Sequence, residues 1–222
     1  MKILMVDKYY YPKGGSQTYL LELKKKLERE GHEIIMFSMK SDENYSSEYS
    51  SYFVENVDYS LGGIQKIKNS FKLIYSKEAY DKLCQLIEKT KPDLAHVNLV
   101  YHQLTPSVLH ALNKYNIPMV YISHDFKLIC PNYKLYHEGV CRKCYGGKYF
   151  NCVSSRCHKG SFVGSALVTM EAYVHKWLKS YELLDKIIAP SHYIEEELLA
   201  AGIKREKVIC LPNFLTMKRE ID

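Results

Sequence analysis

Three stretches decide the fold: Ile3-Leu4-Met5-Val6-Asp7, Tyr10-Tyr11-Pro12-Lys13-Gly14-Gly15-Ser16, and Glu33-Ile34-Ile35-Met36-Phe37. The first is a short apolar run closed by an acid, the pattern of a strand buried on both faces. The second is rich in turn formers and ends on Ser16, a helix-capping residue. Leu20, Leu23 and Leu27 then share one helical face, Lys24, Lys25 and Lys26 widen the polar side, and Gly31 stands where a helix stop is expected. The third is a second apolar strand. Together they spell a βαβ unit that opens at residue 2.

The same alternation continues outward. Residues 40–60 are polar and are expected to form a long exposed loop. From Leu61 to Lys89 the pattern is helical in two pieces, with Leu83, Leu86 and Ile87 on the apolar face of the second. Lys91-Pro92-Asp93 stops it, and Leu94-Ala95-His96-Val97 is a strand. Thr105 caps a helix with Pro106 at its first position, and Pro118 to Ile122 is the next strand. Ser123 to Ser165 breaks the rhythm and carries five of the seven cysteines. A helix over Ala166–Leu184, a strand over Lys186–Ala189, a helix capped by Ser191 and ended at Gly202, and a strand over Val208–Leu211 follow. Strands alternating with helices imply an α/β fold, a Rossmann-like parallel sheet flanked by helices, with a cysteine-rich insertion at 126–164. The chain stops soon after a strand, as a domain cut from something longer would.

Composition bounds the function. Of 222 residues, 46% are hydrophobic and 25% charged, which excludes disorder, collagen and coiled coil. No apolar run approaches the roughly 18 residues that span a bilayer. Asp7 comes too early for a signal peptide, so the expected location is cytoplasmic, with reduced cysteines. The +6 net charge fits an anionic ligand or membrane surface, although a solubilising surface is the weightier explanation. There is no arginine-rich stripe or nucleic-acid motif, so no nucleic-acid partner is expected. Lys66, Lys68 and Lys72 lie near Ile64, Ile67 and Phe71, a basic amphipathic stretch that could rest on the inner membrane face. An ordinary surface helix is the weightier reading.

In such sheets ligands bind at the carboxyl ends of strands. Gly14 and Gly15 let backbone approach a ligand and precede a helix N-terminus that offers N–H donors to an anion. A plain βα turn reads equally well. The G-x-G-x-x-G and P-loop patterns are absent, so a nicotinamide dehydrogenase or a P-loop NTPase is not expected. Ser123-His124-Asp125 follows a strand, where His124 can hydrogen-bond a sugar or act as a base, or be one loop histidine among nine. Ser191 most simply caps its helix. His96, Asn98 and His102 follow the third strand, where core or loop polar residues are the commoner explanation. Cys141-x2-Cys144 and Cys152-x4-Cys157 are pairs that could close a tetrahedral zinc site, with Cys130, His137 and His158 as further candidates. Burial, disulfides and free thiols compete with that reading.

The order of these pieces resembles the family 4 retaining glycosyltransferases of the GT-B fold. The residues that carry the likeness are Tyr11-Pro12-Lys13-Gly14-Gly15, Pro92-Asp93-Leu94-Ala95-His96-Val97, His124-Asp125, Ala189-Pro190-Ser191 and Lys207-Val208-Ile209-Cys210-Leu211-Pro212-Asn213. The resemblance implies an acceptor-side N-terminal domain over 1–213, with 214–222 starting the linker to a C-terminal domain that is missing here. It implies a nucleotide-sugar donor, a glycan or lipid-linked acceptor, retention and no catalytic metal. Gly14, Gly15 and Ser191 would face the donor, His124 the transferred sugar, and Tyr10, Lys13, Asn98 and His102 the acceptor. The family's paired E-x7-E carboxylates belong to the second domain. A non-catalytic glycan-binding module and a zinc-stabilised interaction domain are the rival classes.

Overall fold

A computed structural model describes residues 1–56, 72, 74–102 and 104–214. Six strands form one parallel sheet: β1 (Lys2–Val6), β2 (Glu33–Phe37), β3 (Leu94–Val97), β4 (Met119–Ile122), β5 (Lys186–Ala189) and β6 (Val208–Cys210). Their order is β2-β1-β3-β4-β5-β6. Leu4 pairs with Ile35 on one side and Ala95 on the other. The chain therefore leaves β1 in one direction to make β2 and returns to the other side to make β3. That reversal sets the switch point, and hence the ligand crevice, at the carboxyl ends of β1 and β3.

The helices are α1 (Gly15–Arg29), α2 (Lys77–Thr90), α3 (Ser107–Lys114), α4 (Phe150–Ser154), α5 (Phe162–Trp177) and α6 (His192–Ala200). The core joins both sheet faces to them: Leu4, Met5, Val6, Ile35, Phe37, Leu83, Leu86, Leu109 and Tyr121 are all buried. Each such side chain contributes roughly 1.5–3 kcal/mol of burial. Local signals set the helix ends. Ser76 Oγ accepts from Ala79 N at 3.1 Å to start α2, and Lys91 closes it in a left-handed conformation at φ 49°. Thr105 Oγ1 accepts from Ser107 N at 3.3 Å ahead of α3, although Pro106 precedes the first helical residue instead of occupying it.

Several boundaries differ from the sequence reading. Ser16 does not cap α1, because Gly14 occupies the cap position and makes no side-chain cap bond. The described part of the expected 40–60 loop, residues 40–56, is not simply exposed. Val54 bridges to Met39, and Tyr49, Phe53 and Val54 are buried, so the loop roofs the β2 side of the core. The helix expected over Ala166–Leu184 starts earlier, at Phe162, because Ser161 Oγ caps it through Gly164 N at 3.1 Å. It ends at Trp177, and Lys179 at φ 54° turns the chain into a short 3-10 segment. Leu211 lies just beyond β6. The first helical piece after Leu61, Lys66 and Lys68 with their apolar neighbours, and linker residues 215–222 lie outside the described residues. Among the described residues, no helix is long and apolar enough to cross a membrane.

Two tethers hold the stretch between β4 and α5 on the sheet. Lys127 Nζ meets Glu171 Oε2 of α5 at 2.7 Å with both side chains buried, and also donates to Pro131 O. Arg142 and Tyr145 both donate to the carboxylate of Glu197 on α6.

Candidate functional site

The switch point is built around a carboxylate the sequence reading passed over. Asp7, at the end of β1, is fully buried. It accepts from Tyr9 N at 2.8 Å, from Gln17 Nε2 at 3.2 Å and from Asn98 Nδ2. Asn98 in turn reaches Ser16 O at 3.4 Å. Asp7 thus ties β1, the residue after β3 and the first turn of α1 into one knot. Burial raises its pKa to about 6 against these donors.

This knot fixes the glycine loop. Gly14 and Gly15 are exposed, and neither has a positive φ. An added Cβ on Gly15 would meet nothing within 4 Å, and one on Gly14 would find Gln17 Oε1 at 3.6 Å. Nothing within the chain demands glycine there. With no side-chain cap and no acid in its first turn, α1 presents its N-terminal N–H groups to open space.

His124 follows β4 and faces this helix. Its ring lies edge-on to Tyr19 of α1 with centroids 5.2 Å apart, and Phe214 packs on the same tyrosine at 5.2 Å. The imidazole is partly buried, its Nε2 has no partner, and burial lowers its pKa to about 4. It is therefore neutral near pH 7, with a buried ring nitrogen that no group of the described residues satisfies. His96 on β3 is buried with neither ring nitrogen partnered, and burial followed by the nearness of His124 lowers its pKa to about 4. The next residue, Asp125, accepts from the Tyr101 hydroxyl and from Lys127 N at 2.9 Å, so it orients the loop and not the histidine.

The expected acceptor residues separate. Lys13 is exposed, with Nζ 4.0 Å from the Tyr9 ring centroid and hydrogen-bonded to Tyr11 Oη at 3.3 Å. Lys8 lies over the Tyr101 ring at 4.2 Å. It is a second cation at this rim, one that no sequence pattern singled out. His102 borders the same rim at φ 71°, edge-on to Tyr101. Burial, then Lys127 and Lys8, lower its pKa to about 3. Tyr10 and Asn98 are corrections. Tyr10 is buried between Tyr45 and Phe53. Asn98 is buried in the Asp7 knot, so both support the crevice from behind its wall. Ser191 Oγ is used as a cap, accepting from Ile194 N at 3.3 Å, so the hydroxyl serves α6 first.

The cysteines are not scattered. Cys130, Cys141, Cys144, Cys152 and Cys157 line one cavity of about 10 Å3, with His137 on its wall. Cys152 and Cys157 bring their sulfurs to 3.0 Å, and all seven thiols are free. The four paired cysteines do not stand at ligand spacing. Among the described residues, His192, Glu195 and Cys210 are the group whose donor atoms lie within 4.8 Å of one another. Glu195 there already pairs with Arg205 at 2.8 Å, which offsets the charge a cation would need.

The profile of Glycosyltransferase Family 4 matches residues 13–219. A Klebsiella pneumoniae protein described as "Uncharacterized 42.6 kDa protein in cps region" is 26% identical over 152 residues, covering 63% of this chain and 40% of its own length. Among solved structures, the apo form of the lipopolysaccharide outer core galactosyltransferase WaaB aligns over 99% of this chain and 47% of that one. Its TM-score is 0.51 and its identity 13%, a likeness of fold. The chain spans less than half the length of either relative. With its parallel sheet and the family match along nearly its whole length, the chain belongs to glycosyltransferase family 4.

Proposed function

We propose that this chain is the N-terminal, acceptor-side half of an enzyme that moves a sugar from a nucleotide-sugar donor to a glycan or lipid-linked acceptor, with retention. Residues 1–213 form that half, 126–164 are its insertion, and the linker to the donor-binding domain starts at 214. The observation that carries this reading is the uncapped α1 N-terminus beside an unpartnered imidazole, Nε2 of His124. A helix N-terminus with no side-chain cap and no acid in its own first turn suits a phosphate, and a neutral imidazole nitrogen without a hydrogen-bond partner suits a sugar hydroxyl.

The roles follow. Backbone N–H groups at Gly14 and Gly15 hold the donor's phosphates, and His124 orients the transferred sugar. Lys13, Lys8 and His102 form the rim that an acceptor meets. No metal takes part in this reading of the transfer. The enzyme works in the cytoplasm, where its thiols stay reduced. Catalysis requires the second domain, because a cleft needs two walls. Calorimetric titration of the isolated chain with a panel of nucleotide sugars tests this: weak or no binding is expected. Submicromolar binding of any of them would place the whole donor site in these residues and refute the division of labour.

The same reading gives the cysteines a structural task. Zinc bound by Cys141, Cys144, Cys152 and Cys157 would draw together sulfurs that already line one cavity, and would supply folding energy to a stretch with a small core of its own. About one zinc per chain is expected in protein purified without chelator, lost in the double Cys141→Ser, Cys144→Ser variant. Metal-free protein with a folded 141–157 segment, or a disulfide within it, would refute the zinc.

A further inference from the structure

The outer face of α5 is apolar and exposed, and Lys176 and Lys179 border it. Its stripe runs through Phe162, Val163, Met170, Tyr173 and Trp177, spaced so that they share one side of the helix. Trp177 is 87% exposed, Val163 76% and Phe162 58%. Burial on the opposite side takes Ser165, Val168, Glu171 and His175, so the stripe is the face the core does not use. α4 packs alongside. Tyr173 Oη accepts from Phe150 N at 3.1 Å, and Val153 joins Met170, Tyr173 and Trp177 in lining a shallow groove of about 770 Å3. A contiguous apolar surface of this kind marks an interaction site.

Charge decides what meets it. From residue 139 to 170 the sequence has no Asp or Glu, while it holds Arg142, Lys143, Lys148, Arg156 and Lys159. Lys176 and Lys179 line the groove itself. All seven cations are exposed, and only Arg142 has an acidic partner among the described residues. Aromatic and aliphatic side chains in the middle, with lysines whose stems can lie along them, match the layered chemistry of an anionic bilayer, acyl chain beneath phosphate. A second copy of this chain would bring the same cations against themselves.

We propose that α5 and α4 form a surface that docks on an anionic lipid membrane, with Trp177 entering the headgroup layer. This does not rest on the transferase reading. It also differs from the Lys66–Lys72 stretch in place and composition.

Trp177 is the only tryptophan, so it reports on itself. Its emission is measured with vesicles of phosphatidylcholine alone and of phosphatidylcholine with phosphatidylglycerol in equal parts, beside co-sedimentation. A blue shift and sedimentation are expected with the anionic vesicles alone, weakening as salt rises. The double variant Lys176→Glu, Lys179→Glu should partition at least about tenfold less well. Trp177→Ser, which removes an exposed side chain, should also sediment less while keeping its circular dichroism. Unshifted emission at low salt, or equal binding to neutral vesicles, would overturn the proposal. So would Trp177 already shielded from acrylamide in vesicle-free protein, since protein would then cover the face. Lipid binding is the only readout, so its failure leaves the transfer reading untouched.

Discussion

The crevice at β1 and β3 and the α4–α5 flank are built on opposite plans. The crevice sits on the deepest part of the sheet, where Gln17 and Asn98 both donate to Asp7 over chain separations of 10 and 91 residues. Its exposed parts, Gly14, Gly15 and Lys13, are few and stand on that buried knot. The flank has a small core of Cys144, Cys152 and Val168 and carries much of the exposed apolar surface among the described residues. A site that must hold a small ligand in one geometry gains from a rigid base. A surface that meets a large, deformable partner gains from exposed area instead.

The flank depends on its tethers, and the largest effect is expected there. Lys127→Ala leaves the Glu171 carboxylate buried without its partner, and should cost about 3–5 kcal/mol. Urea unfolding of the variant measures this. A loss under about 1 kcal/mol would mean that the flank is held by other contacts.

The crevice should instead show its strain through pH. His96 titrates near 4 in the folded chain against 6.5 in the unfolded one, so the unfolded state binds more protons between those values. Stability from this group is therefore full above about pH 6.5 and is lost as pH falls towards 4. His124 and His175, also lowered to about 4 by burial, act in the same direction. Asp7 opposes them. Its raised pKa makes the folded state bind more protons between about 4 and 6, so its contribution falls as pH rises through that window. His96→Leu breaks no hydrogen bond and should gain about 2 kcal/mol relative to wild type on moving from pH 7 to pH 5. Parallel stability curves for the two proteins over that range would refute the assignment.

The smallest effect separates folding from function. Gly15 begins α1 without a positive φ and with room for a methyl group. Gly15→Ala should leave stability unchanged or raise it by about 0.4–1 kcal/mol. It should still weaken donor use in the two-domain protein, because the methyl group occupies the ligand's side of the loop. A destabilised variant would show that the glycine serves the fold.

What the sequence disclosed follows the same division. Strands such as Lys186–Ala189 were legible because a strand buried on both faces must be an apolar run, and the Ser191 cap was legible because capping is local. The position of His124 just after β4 was legible for the same reason, and its role there is proposed. The Asp7 knot and the Lys127–Glu171 pair were not, since each joins residues distant in sequence and no periodicity marks them. Tyr10 was misread for a related reason. A tyrosine in a turn-rich loop looks exposed until the 40–60 loop folds back and brings Tyr45 and Phe53 against it. The exposed stripe on α5 was hidden because an amphipathic pattern does not say which apolar positions the core will take.

The central claim is that the crevice beside α1 is one wall of a sugar-transfer site, with His124 in it. The direct measurement is transfer from a panel of nucleotide sugars to glycan and lipid-linked acceptors by the two-domain protein, wild type beside His124→Ala. Transfer with retained anomeric configuration is expected from the wild type. The variant is expected to stay folded and to be slowed by at least the roughly 0.5–1.5 kcal/mol of one lost hydrogen bond, and more if charge develops on the sugar in the transition state. No transfer from any donor, or a variant as fast as the wild type, would contradict the central claim.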